Sequence, residues 1–298
     1  MSDLASSLAG WAPEPVTRTD QVSSWSVAAF AALLDQPSPL AGGEPLLPPM
    51  WHWFGFLEHL PRAELGPDGH PAGGGSLPPI PHRRRMFAGG RWRQLRPLPV
   101  DQPISCRSSV GSVQVKAGRS GEMAFVTVRN EFSLHGEPAV EEEQDIVYRS
   151  QPDPPAGAAA APARGAAEEP AAEQPPFEHE LVLNPDAALL FRFSALTYNA
   201  HRIHYDHPYA TGVEGYPGLV VHGPLLALLA LELPRRHQPH MPAREFRYRL
   251  RRPAFLGTPL RAWSAPAGPD GSLELASEVL GGPPSLTGSV RFRPGEEG

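Results

Sequence analysis

Apolar and polar residues follow helical spacing early in the chain and strand spacing after it. Residues 24–35 form an amphipathic pattern with Ser23 or Ser24 as N-cap, which predicts a short helix. Aromatic residues fall on several sides of 48–60, which predicts a buried helix. From residue 85 onward, alternation and β-branched residues predict strands at 85–93, 103–110, 112–116, 123–132 and 143–149.

The same order returns after residue 177. Sequence patterns predict a strand at 177–183, a helix at 187–196 and an apolar helix at 223–232 that begins at Gly223. Further strands are predicted within 244–260, at 273–280 and at 285–293. Each half is therefore predicted to be an antiparallel sheet wrapped round one central helix. This makes the chain α+β, with two halves in tandem.

Composition separates the two halves. Residues 151–176 are mostly alanine and proline and contain no aromatic or β-branched residue, so they have little to bury and are expected to form a linker. The N-terminal domain is then 1–150 and the C-terminal domain is 177–298.

Charge and cysteine content exclude several classes of partner. The net charge is −6, and acidic and basic residues are mixed, which argues against nucleic-acid binding. No apolar run approaches the length of a membrane span, and the N-terminus lacks the features of an export signal. The single cysteine, Cys106, cannot form an internal disulfide. We expect a cytoplasmic protein with no nucleic-acid or membrane partner.

The chemistry-bearing residues concentrate in 197–206 and just before the second central helix. Asn199, His201 and His204 lie within six positions, and His222 precedes Gly223 at the predicted start of the helix. An imidazole, an amide and the free N–H groups of a helix N-terminus would supply proton transfer, a water holder and an anion site. That combination suits chemistry next to a carbonyl.

A metal site is the competing interpretation of these residues. His201, His204, Asp206 and His207 have suitable side chains, but their spacing matches no common zinc arrangement. We therefore expect neither a metal nor another cofactor.

Order and motif together resemble the hot dog fold, and the second half is similar to the MaoC-like (R)-specific enoyl-CoA hydratase family. The family pattern Ser-x-Asp-x-Asn-Pro-x-His-x-Asp, followed by His-Gly, aligns without a gap with 197–206 and then with His222-Gly223. The whole chain looks like the two-domain branch that includes mesaconyl-C4-CoA and itaconyl-CoA hydratases and 3-hydroxyacyl-thioester dehydratases. The resemblance implies a tandem hot dog whose N-terminal half is degenerate and covers a site formed mainly by the C-terminal half.

The resemblance also implies roles for residues, with some departures. His204 matches the family's catalytic histidine, and Asn199 stands where the family has aspartate. Since an amide is no general base, Asn199 is expected to orient water, and His201 is a candidate for the missing base. The N–H of Gly223 is the candidate donor to the thioester oxyanion.

Substrate-binding residues are expected nearby. A dicarboxylic acyl group needs a cation, for which Arg202 and the run 83–85, with Arg85, are candidates. The remaining candidates are His222, Gly218 and Arg119, which lies in a hairpin turn at 116–121. Five other histidines are expected to be structural: His52, His59, His70, His135 and His237.

The predicted function is reversible addition of water to an enoyl-CoA, with mesaconyl-C4-CoA and citramalyl-CoA as the favoured pair. Three alternatives stay open: a 3-hydroxyacyl dehydratase of fatty-acid synthesis, a thioesterase, and a non-catalytic acyl-CoA-binding protein. The thioesterase would need an acidic residue on the central helix, where only Glu232 is present. Homodimerisation is left open, because a tandem chain already supplies the pair that single hot dogs form.

Overall fold

The computed structural model describes residues 4–40, 45–73, 77–118, 121–150 and 177–293. The helices are α1 (Leu4–Leu8), α2 (Ser24–Leu33), α3 (Ala187–Leu196), α4 (His207–Gly212) and α5 (Gly223–His237), with 3₁₀ turns at Trp51–Phe54, Arg62–Glu64 and Arg202–His204. The strands are β1 (Val16–Asp20), β2 (Arg83–Gln94), β3 (Ile104–Gly118), β4 (Gly121–Leu134), β5 (Glu137–Ser150), β6 (His179–Leu183), β7 (Ala243–Leu250), β8 (Leu260–Ser264), β9 (Leu273–Val279) and β10 (Pro284–Phe292). The predicted linker 151–176 and Arg119 lie outside the described residues.

All ten strands join one antiparallel sheet in the order β1-β3-β4-β5-β2-β7-β10-β9-β8-β6. Strands of the N-terminal half occupy one side and those of the C-terminal half the other. The two halves meet where β2 pairs with β7, with Trp92 opposite Phe246. Because both residues are buried, this seam is part of the core.

The C-terminal half has the predicted central helix. Residues 225–234 of α5 are all buried, because strands of the C-terminal half pack round the helix. The helix begins at Gly223, and Pro224 follows in its first turn, where a missing N–H breaks no helical hydrogen bond. Asp186 caps α3 by accepting a hydrogen bond from the N–H of Leu189 at 2.7 Å.

The predicted helix at 48–60 is wrong. Only the 3₁₀ turn Trp51–Phe54 forms, because Met50 and Phe56 on either side have left-handed backbone angles, with φ of 65° and 57°. Phe30 of α2 packs on this turn, with ring centroids 4.8 Å from Trp51 and 4.6 Å from Phe54. Aromatic side chains thus occupy part of the space that a second central helix would fill.

Most other predicted elements are confirmed with shifted ends. The helix at 24–35 is α2, and Ser23 caps it by accepting a hydrogen bond from the N–H of Ser26 at 3.1 Å. The strands predicted at 103–110 and 112–116 are one strand, β3, with a register shift between Val110 and Ser112. The predicted hairpin is confirmed, since Gly118 pairs with Gly121.

Within the described ranges, no helix is long and apolar enough to cross a membrane. A cytoplasmic location stays a prediction.

Candidate active site

A cavity of about 2000 Å³ lies between the two halves. The N-terminal half lines it with the turn at 52–58, the loop at 64–73 and parts of β2 to β5. The C-terminal half lines it with 197–205, the segment that leads into α5 and residues 250–255. Small-molecule sites are usually about 300–1,000 Å³, so this cavity has room for a long substrate.

His204 lies at this cavity with only 7% of its surface exposed. Its Nδ1 is 2.7 Å from the carbonyl oxygen of Val220, which accepts only if Nδ1 carries the proton. This hydrogen bond leaves Nε2 as the basic nitrogen. Burial lowers the pKa of His204 to about 4, against the Val220 hydrogen bond, which raises it. The ring is therefore neutral near pH 7 and able to accept a proton.

His222 packs against the ring of His204. The two rings stack with centroids 3.7 Å apart and an angle of 17° between their planes. His222 is fully buried, and its Nε2 is 2.8 Å from Ser194 Oγ. It does not line the cavity. His222 thus packs on the ring of His204 away from the cavity lining, and its part in substrate binding stays a prediction.

Asn199 and His201 lie beside His204, as the motif predicts. Asn199 Oδ1 accepts a hydrogen bond from the backbone N–H of His201 at 3.0 Å, and both residues line the cavity. The rings of His201 and His204 are nearly perpendicular, with centroids 5.4 Å apart. Burial lowers the pKa of His201 to about 2, and the positive potentials of His70 and His204 add to this effect. His201 is thus held neutral even more strongly than His204.

An aspartate and a histidine from the N-terminal half complete this cluster, and the sequence analysis missed both. Asp68 Oδ2 lies 3.1 Å from His70 Nδ1, and the His70 ring centroid is 4.0 Å from that of His201. His70 was expected to be structural, yet it lines the cavity with Asp68. The one available signal was the position of both residues in a glycine- and proline-rich loop, since such loops often border active sites.

These residues also bear on metal binding. Among the described residues, one group with suitable side chains has its ligand atoms within 4.8 Å of one another: Asp68, His70 and His201. The set considered from the sequence is not brought together, because Asp206 caps α4 and pairs with Arg202. In the group that does form, the Asp68 carboxylate is already hydrogen-bonded to His70, as in an ion pair.

Gly223, the predicted oxyanion donor, lies at the cavity at the start of α5. It is the first residue of α5 and lines the cavity, and the N–H groups of a first helical turn have no partner within the helix. A Cβ atom at this position would lie 2.6 Å from Leu250 Cδ1 and 3.5 Å from Phe87 Cδ1. A side chain at residue 223 would therefore be crowded by Leu250 and Phe87.

The remaining candidate substrate-binding residues differ in whether they line the cavity. The guanidinium of Arg202 pairs with Asp206 at 2.8 Å, lies over the ring of Tyr209 and is absent from the cavity lining. Its part in substrate binding stays a prediction that these contacts do not favour. Gly218 is also absent from that lining. Arg85 is half-buried, lines the cavity and acts electrostatically on His201.

Glu232 is unsuited to the role of a thioesterase carboxylate. It lies roughly 13 Å along α5 from Gly223 and is absent from the cavity lining. Its side chain is buried and pairs with Arg235 at 2.5 Å and Arg236 at 3.1 Å.

Comparisons with known proteins agree with this fold. The family model described as hydroxyacyl-thioester dehydratase type 2 matches residues 50–256. The mesaconyl-C4-CoA hydratase of Chloroflexus aurantiacus is 45% identical over 284 residues, which are 90% of this chain and 97% of the relative. A MaoC-like dehydratase of Phytophthora capsici superposes with a TM-score of 0.69 at 12% identity, over 99% of each chain.

A Mycobacterium tuberculosis protein described as a double hot dog also superposes on this chain. The TM-score is 0.55 at 15% identity, over 94% of this chain and 96% of the other. The expected tandem hot dog fold is thereby confirmed. The family match and the hydratase relative confirm the expected enzyme class, a hydro-lyase. The chain therefore belongs to the hydroxyacyl-thioester dehydratase type 2 family.

Proposed function

We propose that the protein hydrates mesaconyl-C4-CoA to citramalyl-CoA, reversibly, in the cavity between its two halves. The observation that carries the proposal is a neutral His204, with Nε2 as its basic nitrogen, beside the N-terminus of α5 in that cavity. The 45% identity to the Chloroflexus aurantiacus hydratase, over 97% of its length, supports the choice of substrate.

The reaction follows from these positions. His204 Nε2 takes a proton from water as the water oxygen bonds to Cβ of the enoyl thioester. The electron pair of the Cα=Cβ bond moves towards the thioester oxygen, where the Gly223 N–H and the dipole of α5 stabilise the negative charge. Asn199 orients the water. The enolate then takes a proton at Cα to give the hydroxyacyl thioester.

The second carboxylate of the substrate needs a cation near Cβ, and we assign this role to Arg85. In mesaconyl-C4-CoA that carboxylate is attached to Cβ, the carbon that water attacks. Arg84 and Arg91 on the same strand have carboxylate partners, Glu214 for Arg84, but Arg85 has none among the described residues. A guanidinium binds a carboxylate through two parallel hydrogen bonds.

We expect Arg85→Gln to change the choice of substrate. A hydrogen bond to a charged group contributes about 1.5–3 kcal/mol, so kcat/KM for mesaconyl-C4-CoA should fall roughly 10- to 150-fold. The rate with crotonyl-CoA, which has no second carboxylate, should change little. The matched control is Arg93→Gln on the same strand, because Arg93 pairs with Glu141 away from the cavity. An unchanged ratio between the two substrates would remove Arg85 from this role.

The acid limb of the pH profile should lie unusually low. Only neutral His204 accepts a proton, and its pKa is about 4, so kcat/KM should stay level from neutrality to about pH 5 and fall below about pH 4. An ordinary histidine would lose activity below its usual pKa of 6.5. Folding stability falls over a higher range, from about pH 6.5 down to about pH 4, because the unfolded chain protonates this histidine first. Initial rates measured after brief exposure to each pH separate the loss of catalysis from unfolding. A midpoint near pH 6.5 in kcat/KM would contradict the role of His204 as the base.

The test of the proposed function is incubation of the protein with mesaconyl-C4-CoA and, separately, crotonyl-CoA. Loss of enoyl absorbance without release of free thiol is the expected result with mesaconyl-C4-CoA. Release of free thiol would show a thioesterase, and neither change with either substrate would favour a non-catalytic binding protein. Faster turnover of crotonyl-CoA than of mesaconyl-C4-CoA would point to the dehydratase alternative.

A further inference from the structure

The pair of Asp68 and His70 is aimed at the active-site cluster from the opposite half of the chain. Asp68 Oδ1 accepts the backbone N–H of His70 at 3.0 Å, and Oδ2 lies 3.1 Å from His70 Nδ1. Only 14% and 20% of the two side chains, respectively, is exposed. With Nδ1 engaged by the carboxylate, Nε2 is the nitrogen of His70 that is free for exchange at the cavity.

The loop that carries the pair is fixed against the motif segment. Gly69 has a φ of 89°, and a Cβ atom there would overlap the carbonyl oxygen of Ala200. The backbone N–H of Arg202 donates to the carbonyl oxygen of Asp68, and Arg202 Nη1 donates to that of Pro67, both at 2.9 Å. These contacts hold His70 against the C-terminal half. They also give Arg202 a structural role.

The surroundings of His70 differ from those of His201 and His204. Burial lowers the pKa of His201 and His204, and the charge of Asp68 opposes this effect at His201 only in part. Burial would raise the pKa of Asp68, but the hydrogen bond and charge of His70 outweigh it and hold that pKa well below its usual range. Asp68 is thus ionised, and a carboxylate in hydrogen-bonding contact stabilises an added proton on an imidazole. The Asp68 carboxylate thus lies 3.1 Å from Nδ1 of His70, the imidazole of the cluster with which it shares a hydrogen bond.

We propose that His70, held by Asp68, is the second catalytic residue of the hydration, the acid that protonates Cα. This inference rests on the proposed function. His204 Nε2 removes a proton from water while the water oxygen bonds to Cβ. The Nε2–H bond of His70 then breaks, its proton bonds to Cα, and the enolate electron pair forms that new C–H bond. The product carries one hydrogen of the water on its hydroxyl oxygen and the former His70 proton at Cα, while the second hydrogen of the water is on His204.

The cluster also accounts for the return of the enzyme to its starting state. After one turnover, His204 holds the extra proton and His70 has lost one. The ring of His201 lies near both, with centroids 5.4 Å from His204 and 4.0 Å from His70. A proton can thus return to His70 by way of His201 or through water in the cavity.

The test compares His70→Gln and Asp68→Asn with wild type. Asp68→Asn keeps the size of the side chain but removes the negative charge that holds the proton on His70. The matched control is His59→Gln, because His59 is an exposed histidine of the same half outside the cavity. The measurements are kcat/KM for mesaconyl-C4-CoA and crotonyl-CoA, exchange of the Cα hydrogens of citramalyl-CoA in D₂O, and melting temperature.

We expect His70→Gln to lower both hydration and Cα exchange at least 100-fold, within the range typical of general acid catalysis. Asp68→Asn should lower both at least tenfold. Unchanged melting temperatures would show that the losses are chemical.

Other outcomes separate the two proposals. Wild type that hydrates a thioester, with His70→Gln within threefold of it, would overturn only the role of His70. Wild type inactive on both thioesters would overturn the proposed function itself. Activity that is lost on chelation and restored by Zn²⁺ would also overturn the role of His70 as a proton donor.

Discussion

His204→Ala should lower kcat/KM for mesaconyl-C4-CoA by about 10²- to 10⁴-fold, the usual contribution of a positioned general base. The loss should appear mainly in kcat, because the imidazole acts on the water and not on the bound thioester. His204→Gln should be equally impaired, since an amide fills much of the space but accepts no proton at neutral pH. Steady-state kinetics on all three proteins provide the measurement.

The matched control for His204 is His240→Ala. His240 is exposed, outside the cavity and in a bend after α5. It should keep wild-type kinetics. If His204→Ala were as active as His240→Ala, the base would lie elsewhere, and His201 would be the next residue to replace.

Gly223→Val should lower kcat by about 10²- to 10³-fold, the usual effect of losing one oxyanion donor. The valine side chain would collide with Leu250 Cδ1, which is 2.6 Å from the position of a Cβ atom, and would cover the backbone N–H. KM should change less than kcat, because the oxyanion exists only near the transition state. The measurement is kcat and KM with mesaconyl-C4-CoA.

The control for crowding is Gly212→Val, at the last residue of α4. A Cβ atom at Gly212 meets nothing within 4 Å, so this variant should retain wild-type kcat. A fully active Gly223→Val would show that the N–H of residue 223 does not contact the oxyanion.

The C-terminal half of the site was readable from sequence because its parts are close together along the chain. His204 and Asn199 share one motif, and the apolar run after Gly223 has a single simple interpretation as a covered helix. Arg202 has a structural partner that was visible in the sequence. Asp206 is four residues further along the chain, and the two side chains form an i, i+4 ion pair.

The N-terminal contributions were not readable, for two physical reasons. Aromatic residues at 48–60 predicted burial correctly for Trp51 and Phe54, but left-handed backbone at Met50 cannot be seen in a hydrophobic pattern. Asp68 and His70 lie two residues apart in a loop, and nothing in their local sequence indicates a function. Their significance comes from contact with residues more than a hundred positions away, which no local spacing encodes.

Among the described residues, only the C-terminal half has a long central helix, α5, and this has a consequence for how such a chain can diverge. In a dimer of two identical subunits, every substitution appears in both copies of the domain. A fused chain can keep the catalytic helix in one copy and reshape the other freely. Here the cavity reaches His52 and Trp53, where the second helix is reduced to one turn. Duplication followed by unequal loss is thus a route to a larger binding volume without disturbing the reacting groups.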